Sequence, residues 1–277
     1  MQLFAPAKIN LSFKILRRRD DGFHEIETLM APISLGDRLT IEPDEPGKGI
    51  TFTTDDPTLP AGDDNLVVRA ARSFFDAIKE EPGATIALQK NIPHGAGLGG
   101  GSSDAASTLF GLNELHGEPL PPARLTTLAA AIGSDVPFFL ARGAARCRGR
   151  GEIVEAAEPL PPLSLLLLKP EFGVPTPWAY RHWQESRELP GVDYAPQHLG
   201  DMIFQNDLER PVFEKHLFLA RMKGWLREQP EVAAALLSGS GSTMFAVLRE
   251  GAEADALADR ARAELDPKLW TAAGTTR

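Results

Sequence analysis

From Ile9 to Ile15 apolar and polar residues alternate, with Ile9, Leu11, Phe13 and Ile15 on one side and Asn10, Ser12 and Lys14 on the other. A period of two is that of a strand with one buried face. Residues 17–22 read as a turn, and short strands are expected at 25–29, 38–42, 50–53 and 84–89. Before the last of these, Leu66, Ala70, Phe74 and Ile78 recur at helical spacing, which predicts a helix over 65–80 with Asp64 as its cap. A glycine run at 95–101 leads straight into Ser102, Ser103 and Asp104, the expected start of a helix reaching about residue 116. A second helix fits 123–132, while 135–140 and 144–154 read as extended chain.

The stretch Glu158-Pro-Leu-Pro-Pro162 can neither continue a helix nor pair inside a sheet, and is the expected linker. Residues 163–168 beyond it are uniformly apolar, as in a strand buried on both faces. A proline-broken loop, a helix over 206–227, a strand at 243–248, a helix over 252–265 and a short strand near Trp270 complete the chain. Strands and helices mix in both halves, with no internal repeat.

Composition narrows the class. A chain of 277 residues suits two domains, expected here as 1–158 and 159–277. Lys and Arg total 29 against 38 Asp and Glu, a net charge of −9. That balance argues against a general nucleic-acid binder, whose affinity rests on clustered cations, but leaves room for a local positive pocket. The single cysteine, Cys147, excludes an intrachain disulfide and a cysteine-rich zinc site. The longest aliphatic run, Leu165 to Leu168, falls far short of the ~20 apolar residues of a membrane helix. The opening MQLFAPAKIN shows no basic leader, so the expected location is cytoplasmic, with no membrane, nucleic-acid or obligate protein partner.

The glycine run carries the candidate chemistry. Glycines let backbone N–H groups approach a ligand closely, and the following helix points its unpaired N–H groups and positive dipole end into the same space. The combination suits a polyphosphate. Gly95, Gly97 and Gly100 satisfy G-x-G-x-x-G, but a proline pair and a second helix follow where a dinucleotide fold needs another parallel strand. A Walker A loop needs Gly-Lys-Ser/Thr, and no lysine lies between Lys90 and Lys169. The His-Arg-Asp and Asp-Phe-Gly signatures of protein kinases are missing as well.

The run from Pro93 to Ala106, PHGAGLGGGSSDAA, resembles the central phosphate-binding motif of the GHMP small-molecule kinases. Pro6-Ala-Lys-Ile-Asn-Leu resembles their N-terminal motif, and Leu237-Ser-Gly-Ser-Gly-Ser-Thr-Met-Phe-Ala their C-terminal glycine motif. The Asp21-Gly-Phe-His24, Asp64-Asn65-Leu, Gly133-Ser-Asp135-Val-Pro-Phe and Pro175-Thr176-Pro segments are similar to one branch, in the non-mevalonate isoprenoid pathway. Its members move the γ-phosphoryl of ATP onto the 2-hydroxyl of a cytidine-diphosphate substrate.

The resemblance implies an α+β fold of two domains. The first is like the second domain of ribosomal protein S5, the second is ferredoxin-like, and the site lies between them. ATP and Mg²⁺ are the implied cofactors, and a small cytidine-diphosphate molecule the implied partner. Asp135, which alone would read as a helix or turn cap, takes the place of the catalytic base, and Lys8, which alone would read as solvated, sits beside it. Asn65, otherwise an N-cap or first-turn residue, falls near the adenine. Pro93, Gly95, Gly97, Leu98, Gly99, Gly100, Gly101, Ser102 and Ser103 would hold the phosphates. For the acceptor, His24 falls at the cytosine, with Phe23 and Tyr180 as an aromatic sandwich around it, although core packing would equally explain both rings. Asn10 and Thr176 would bond the polar tail, and Gly239 and Gly241 would close on the hydroxyl end. Asp104, where several relatives carry asparagine, would assist the metal, and His94 has no assigned role. A homoserine- or mevalonate-type GHMP kinase is the alternative within the family, though such an acceptor needs no base clamp. A non-catalytic nucleotide-binding relative is the alternative outside enzymes, against which Lys8 and Asp135 both speak.

Overall fold

A computed structural model describes all residues, 1–277. Its N-terminal part is built on two long strands, β1 (Gln2–Arg18) and β2 (His24–Pro43), paired antiparallel from Gln2↔Thr40 to Arg18↔His24. The expected strands at 25–29 and 38–42 are therefore one element. The register of β1 shifts between Pro6 and Lys8, between Asn10 and Ser12, and between Ile15 and Arg17. Such irregularities re-aim side chains along a strand. Ile9 and Leu11 enter the core while Lys8 and Asn10 are buried too, at 3% and 2% exposure. A one-sided alternation could not foretell burial on both faces.

The chain continues through β3 (Gly49–Thr54), α1 (Leu66–Ile78), β4 (Gly83–Gln89), α2 (Gly100–Leu115), α3 (Pro122–Ile132), α4 (Val136–Leu140), β5 (Ala145–Gly149) and β6 (Ile153–Ala156). The cap of α1 is Asn65, one residue after the expected Asp64, and its side chain accepts a hydrogen bond from the Val67 N–H. Residues 136–140 form a short helix rather than extended chain. Proline near the N-terminus of a helix is pre-organised for that turn, and a segment apolar all round shows no period to read.

Residues 157–163 run without regular structure into β7 (Ser164–Lys169). After it come α5 (Thr176–His182), β8 (Gln197–Leu199), β9 (Met202–Asn206), α6 (Glu209–Lys215), α7 (Leu217–Glu228), β10 (Val232–Leu237), β11 (Met244–Leu248), α8 (Ala254–Glu264) and β12 (Trp270–Thr275). The helix expected over 206–227 is two helices broken at His216, whose ψ of 74° is outside the helical range. Strands β7, β10, β11 and β12 form a four-stranded antiparallel sheet in the order β10-β11-β7-β12, which is ferredoxin-like connectivity.

The larger, eight-stranded sheet follows the path β3-β4-β2-β1-β9-β8, with β5 and β6 joined through β2. Its β8 and β9 come from the C-terminal half, and β9 runs parallel to β1 at Ser12↔Gln205 and Phe13↔Asn206. Ala7, Ile9 and Leu11 of β1 share a buried cluster with Leu165 and Leu167 of β7 and Phe245 and Val247 of β11, so one core joins both sheets. No helix is long and apolar enough to cross a membrane.

Candidate active site

A cavity of about 530 Å³ lies where β1, the glycine loop before α2, the start of α4 and the C-terminal glycine turn converge. Most residues proposed from sequence line it: Lys8, Asn10, Asn65, Pro93, Gly95, Gly97, Leu98, Gly99, Gly100, Gly101, Ser102, Asp104, Asp135, Thr176, Tyr180 and Gly239. Phe23, His24, Ser103 and Gly241 do not.

Lys8 is at its centre. Its Nζ lies 3.6 Å from an Asp135 carboxylate oxygen and donates to Asn10 Oδ1 at 2.7 Å and the Gly97 carbonyl at 3.1 Å. Two hydrogen-bond acceptors and the neighbouring carboxylate fix the direction of the ammonium group. Asn10 is held in turn, since its Nδ2 donates to Thr28 Oγ1 at 2.9 Å and the Thr28 hydroxyl donates to the Ser12 carbonyl at 2.6 Å. Asp135 occupies the N-cap position of α4 but caps nothing with its side chain, which is 38% exposed. A carboxylate free of backbone donors, open to the cavity and beside an ammonium can accept a proton from a bound hydroxyl. Behind it the Cys147 thiol is pushed up to about 12, first by burial and then by the Asp135 charge, which leaves it unreactive.

The glycine loop is tied on both sides. The Lys8 N–H donates to the Leu98 carbonyl at 2.9 Å, Ser238 Oγ to the Gly97 carbonyl at 3.0 Å, and the Thr243 N–H to the Ala96 carbonyl at 3.2 Å. Gly97 has φ +76°, and a Cβ there would come within 2.2 Å of the Ser238 carbonyl oxygen. Only glycine fits that close approach. Gly99 caps α2 without a side-chain hydrogen bond, leaving the first N–H groups of the helix for an anion.

One cation here escaped the sequence reading. Lys90, at the end of β4, lines the cavity and pairs with Asp104 at 2.9 Å and with the fully buried Asp37. Asp37 also accepts the N–H groups of Asn91, at 2.6 Å, and Ile92, at 2.8 Å. Burial opposes the Lys90 charge, but Asp104 and Asp37 outweigh it and hold its pKa above the usual lysine value. Burial raises Asp104 to about 7, with Lys90 pulling it down and the Asp37 charge adding to the rise. A polar lysine just before a proline-glycine loop reads as solvated, and nothing in a linear pattern brings Asp37 beneath it.

The aromatic residues are arranged otherwise than expected. Tyr180 stacks on His24 at 5.3 Å between ring centroids, and Trp183 meets His24 edge-on at 6.0 Å. Phe23 is half exposed with the Arg150 guanidinium 4.8 Å from its ring centre, so no sandwich of Phe23 and Tyr180 stands across the cavity. Burial, aided by Arg18, lowers the His24 pKa and favours the neutral ring. Burial raises that of Tyr180, which stays a phenol. Thr176 Oγ1 lies 2.7 Å from Ser240 Oγ, which joins α5 to the glycine turn. Asn65 is engaged at both ends, by the Val67 N–H and, through Nδ2, by the Pro60 carbonyl at 2.8 Å, so it shapes the wall beside Leu59 and Pro60.

No three His, Cys, Asp or Glu side chains gather as a metal cage. Mg²⁺ in phosphoryl-transfer sites takes one or two carboxylates and otherwise rests on substrate phosphates. Asp104 meets that need, because its Oδ1 is buried on the cavity side of α2 without a hydrogen-bond partner. The residues present fit an ion that arrives on a nucleotide.

Residues 65–143 match the family described as GHMP kinases N terminal domain, and residues 195–266 match GHMP kinases C terminal. The chain belongs to the GHMP kinase family, and its two-part α+β fold is that of the family. It is a small-molecule kinase with ATP as a substrate. Among curated proteins it is 44% identical to 4-diphosphocytidyl-2-C-methyl-D-erythritol kinase of Methylacidiphilum infernorum (isolate V4), over 96% of this chain and 93% of that protein. A crystal structure of 4-(cytidine 5'-diphospho)-2C-methyl-D-erythritol kinase superposes with TM-score 0.78 at 37% identity, covering 100% of this chain and 99% of the other. A crystal structure of homoserine kinase from Cytophaga hutchinsonii reaches TM-score 0.66 at 18% identity, covering 100% and 94%, and shares the fold.

Proposed function

We propose that this chain transfers the γ-phosphoryl group of ATP to the 2-hydroxyl of 4-diphosphocytidyl-2-C-methyl-D-erythritol, a step of non-mevalonate isoprenoid synthesis. The observation that carries the reading is the Lys8–Asp135 pair, 3.6 Å apart at the end of a glycine loop and helix N-terminus able to hold a polyphosphate. The names of the similar proteins supply the acceptor.

In this reading Asp135 accepts the acceptor's hydroxyl proton as the phosphoryl group transfers. Lys8, fixed by Asn10 and the Gly97 carbonyl, sits beside Asp135 and faces the charge that builds on the reacting oxygen. Backbone N–H groups of residues 95–103 orient the phosphates. Mg²⁺ bound with ATP would neutralise the phosphate oxygens, and Asp104 is the side chain that would help to hold it. Tyr180 faces the cytosine with the neutral His24 ring stacked on it, while Phe23 stands outside the cavity beside Arg150. Asn10 and Thr176 meet the polar tail, Gly239 and Gly241 close on the hydroxyl end, and Asn65 borders the adenine. Residues 1–158 and 159–277 are taken as the two domains, and the cytoplasm as the location of the reaction.

ATP consumption by the purified protein, offered the cytidine substrate, homoserine and mevalonate in turn, tests the proposal. Turnover with the cytidine substrate is expected. Turnover with homoserine or mevalonate alone, or ATP binding without transfer to any acceptor, would overturn it.

A further inference from the structure

The C-terminal glycine turn stands beside Lys8, opposite the first glycine loop. A Cβ on Gly239 would lie 3.3 Å from both Lys8 Nζ and Asn10 Oδ1. Few of the turn's own contacts fix it there. Within it the Gly241 N–H reaches the Ser238 carbonyl, and the Ser238 N–H reaches the Thr243 carbonyl. Beside the bonds from Ser238 to Gly97, Thr243 to Ala96 and Thr176 to Ser240, a further restraint comes from the Asn206-Asp-Leu-Glu209 segment.

Asn206 ends β9, next to β1, and is 6% exposed. Its Nδ2 donates to the Leu237 carbonyl at 2.8 Å and to the Gly239 carbonyl at 2.7 Å, while its Oδ1 accepts the Leu208 N–H at 2.9 Å. Three residues on, Glu209 accepts the Leu237 N–H at 3.0 Å and is held by Lys223 at 2.6 Å. Between them, Asp207 turns the other way. Its carboxylate accepts the Ile15 N–H at 2.7 Å, and its own N–H donates to the Phe13 carbonyl at 3.0 Å. Three of four consecutive residues thus bond either the strand that carries Lys8 or, on the other side, the turn that faces Lys8.

We infer that Asn206 is a positioning residue for phosphoryl transfer: by gripping the Leu237 and Gly239 carbonyls it sets the distance between the C-terminal glycine turn and Lys8, and so seats the acceptor hydroxyl. The kinetic part rests on the acceptor proposed above. The structural part does not. Both carbonyls are satisfied by one amide, so replacing its two donor hydrogens with an acceptor oxygen of the same size sets three oxygens against each other. The Oδ1 contact to Leu208 is kept in such a variant, and the start of α6 with it.

The test compares the wild type with Asn206→Asp and Asn206→Ala, using ATP and the cytidine substrate, with folding checked by urea denaturation. In the folded variants kcat/KM for the acceptor is expected to fall at least 20-fold, while KM for ATP changes less than threefold. Amide hydrogen exchange at Ser238, Gly241 and Thr243 is expected to speed up at least tenfold, with that of β7 and β12 unchanged. Wild-type acceptor kinetics and unchanged exchange in folded Asn206→Asp would overturn the inference. So would exchange accelerated over the whole C-terminal half with equal loss toward ATP, the pattern of a merely structural residue. If the wild type itself leaves the cytidine substrate untouched, the proposed function fails, and the exchange measurement alone decides the role of Asn206.

Discussion

The cavity holds two lysine–aspartate pairs of opposite character. Lys8 and Asp135 are 3.6 Å apart, without a hydrogen bond between them, and Asp135 is open to the cavity. Lys90 and Asp104 are 2.9 Å apart, both buried, with the Asp37 carboxylate on the far side of the ammonium. A loose pair with one exposed member can trade its partner for a substrate group. A closed pair in a buried wall is costly to separate, because a buried charge would be left unpaired. The same two side-chain types therefore form an open pair in one place and a closed one in the other, and burial makes the difference.

The comparison breaks most sharply at the open pair. Asp135→Asn and Lys8→Ala are each expected to lower kcat by about 10²–10⁴-fold, the range for a general base and its electrostatic partner. Thermal unfolding of Asp135→Asn should stay near that of the wild type, since Asp135 makes no side-chain cap, whereas Lys8→Ala should unfold at lower temperature while remaining folded at room temperature, since it strips Asn10 and the Gly97 carbonyl of a buried donor. Wild-type turnover in either folded variant would end its role as the reacting pair.

The closed pair should respond in stability. Lys90→Met leaves Asp37 and Asp104 buried together without their cation, and is expected to cost about 3 kcal/mol in urea denaturation. A loss below the usual surface range of about 0.5 kcal/mol would mean the triad is not holding the wall.

Asp104→Asn sharpens the contrast through pH. The folded chain keeps the Asp104 proton up to about 7, whereas the unfolded chain releases it near the usual carboxylate value of about 3.9. The resulting stability is complete below that lower value and is lost as pH rises through 7. Lys90, held above its ordinary value, adds no slope in this window. Denaturation at pH 5 and pH 8 should show a smaller drop for Asp104→Asn than for the wild type, and an equal drop would refute the assignment.

Phe23→Ala is expected to have the smallest effect. The ring is exposed beside Arg150, so stability should change by less than about 0.5 kcal/mol. A rise in KM for the cytidine substrate of about 10-fold, worth 1.4 kcal/mol, would show that the ring does reach the base in the complex.

Strong local signals were legible without coordinates. The alternation of 9–15, the helical spacing of 66–78, the apolar run before Lys169 and the glycine run before α2 all became the elements they suggest. Each is a property of neighbours in the chain. Where the signal was short or interrupted, it failed. The apolar 136–140 showed no period, and the break at His216 lay inside a continuous amphipathic pattern. The fusion of 25–29 with 38–42 depended on pairing with β1, which spans both.

For the candidate site, the chain's own residues fixed where a phosphate loop could form, because Gly95, Gly97 and Gly99 supply the left-handed backbone and a helix follows to present free N–H groups. They also supplied the motifs that mark Lys8 and Asp135. Tertiary structure decided what those residues touch. It buried Lys8 on a strand face that looks solvated, set Asp37 and Asp104 around Lys90 across 53 and 14 positions of chain, and joined the two glycine segments 141 residues apart through Gly97 and Ser238. Contacts over such separations depend on which sheet edges and helix ends are packed together, and no window along the chain is wide enough to contain them.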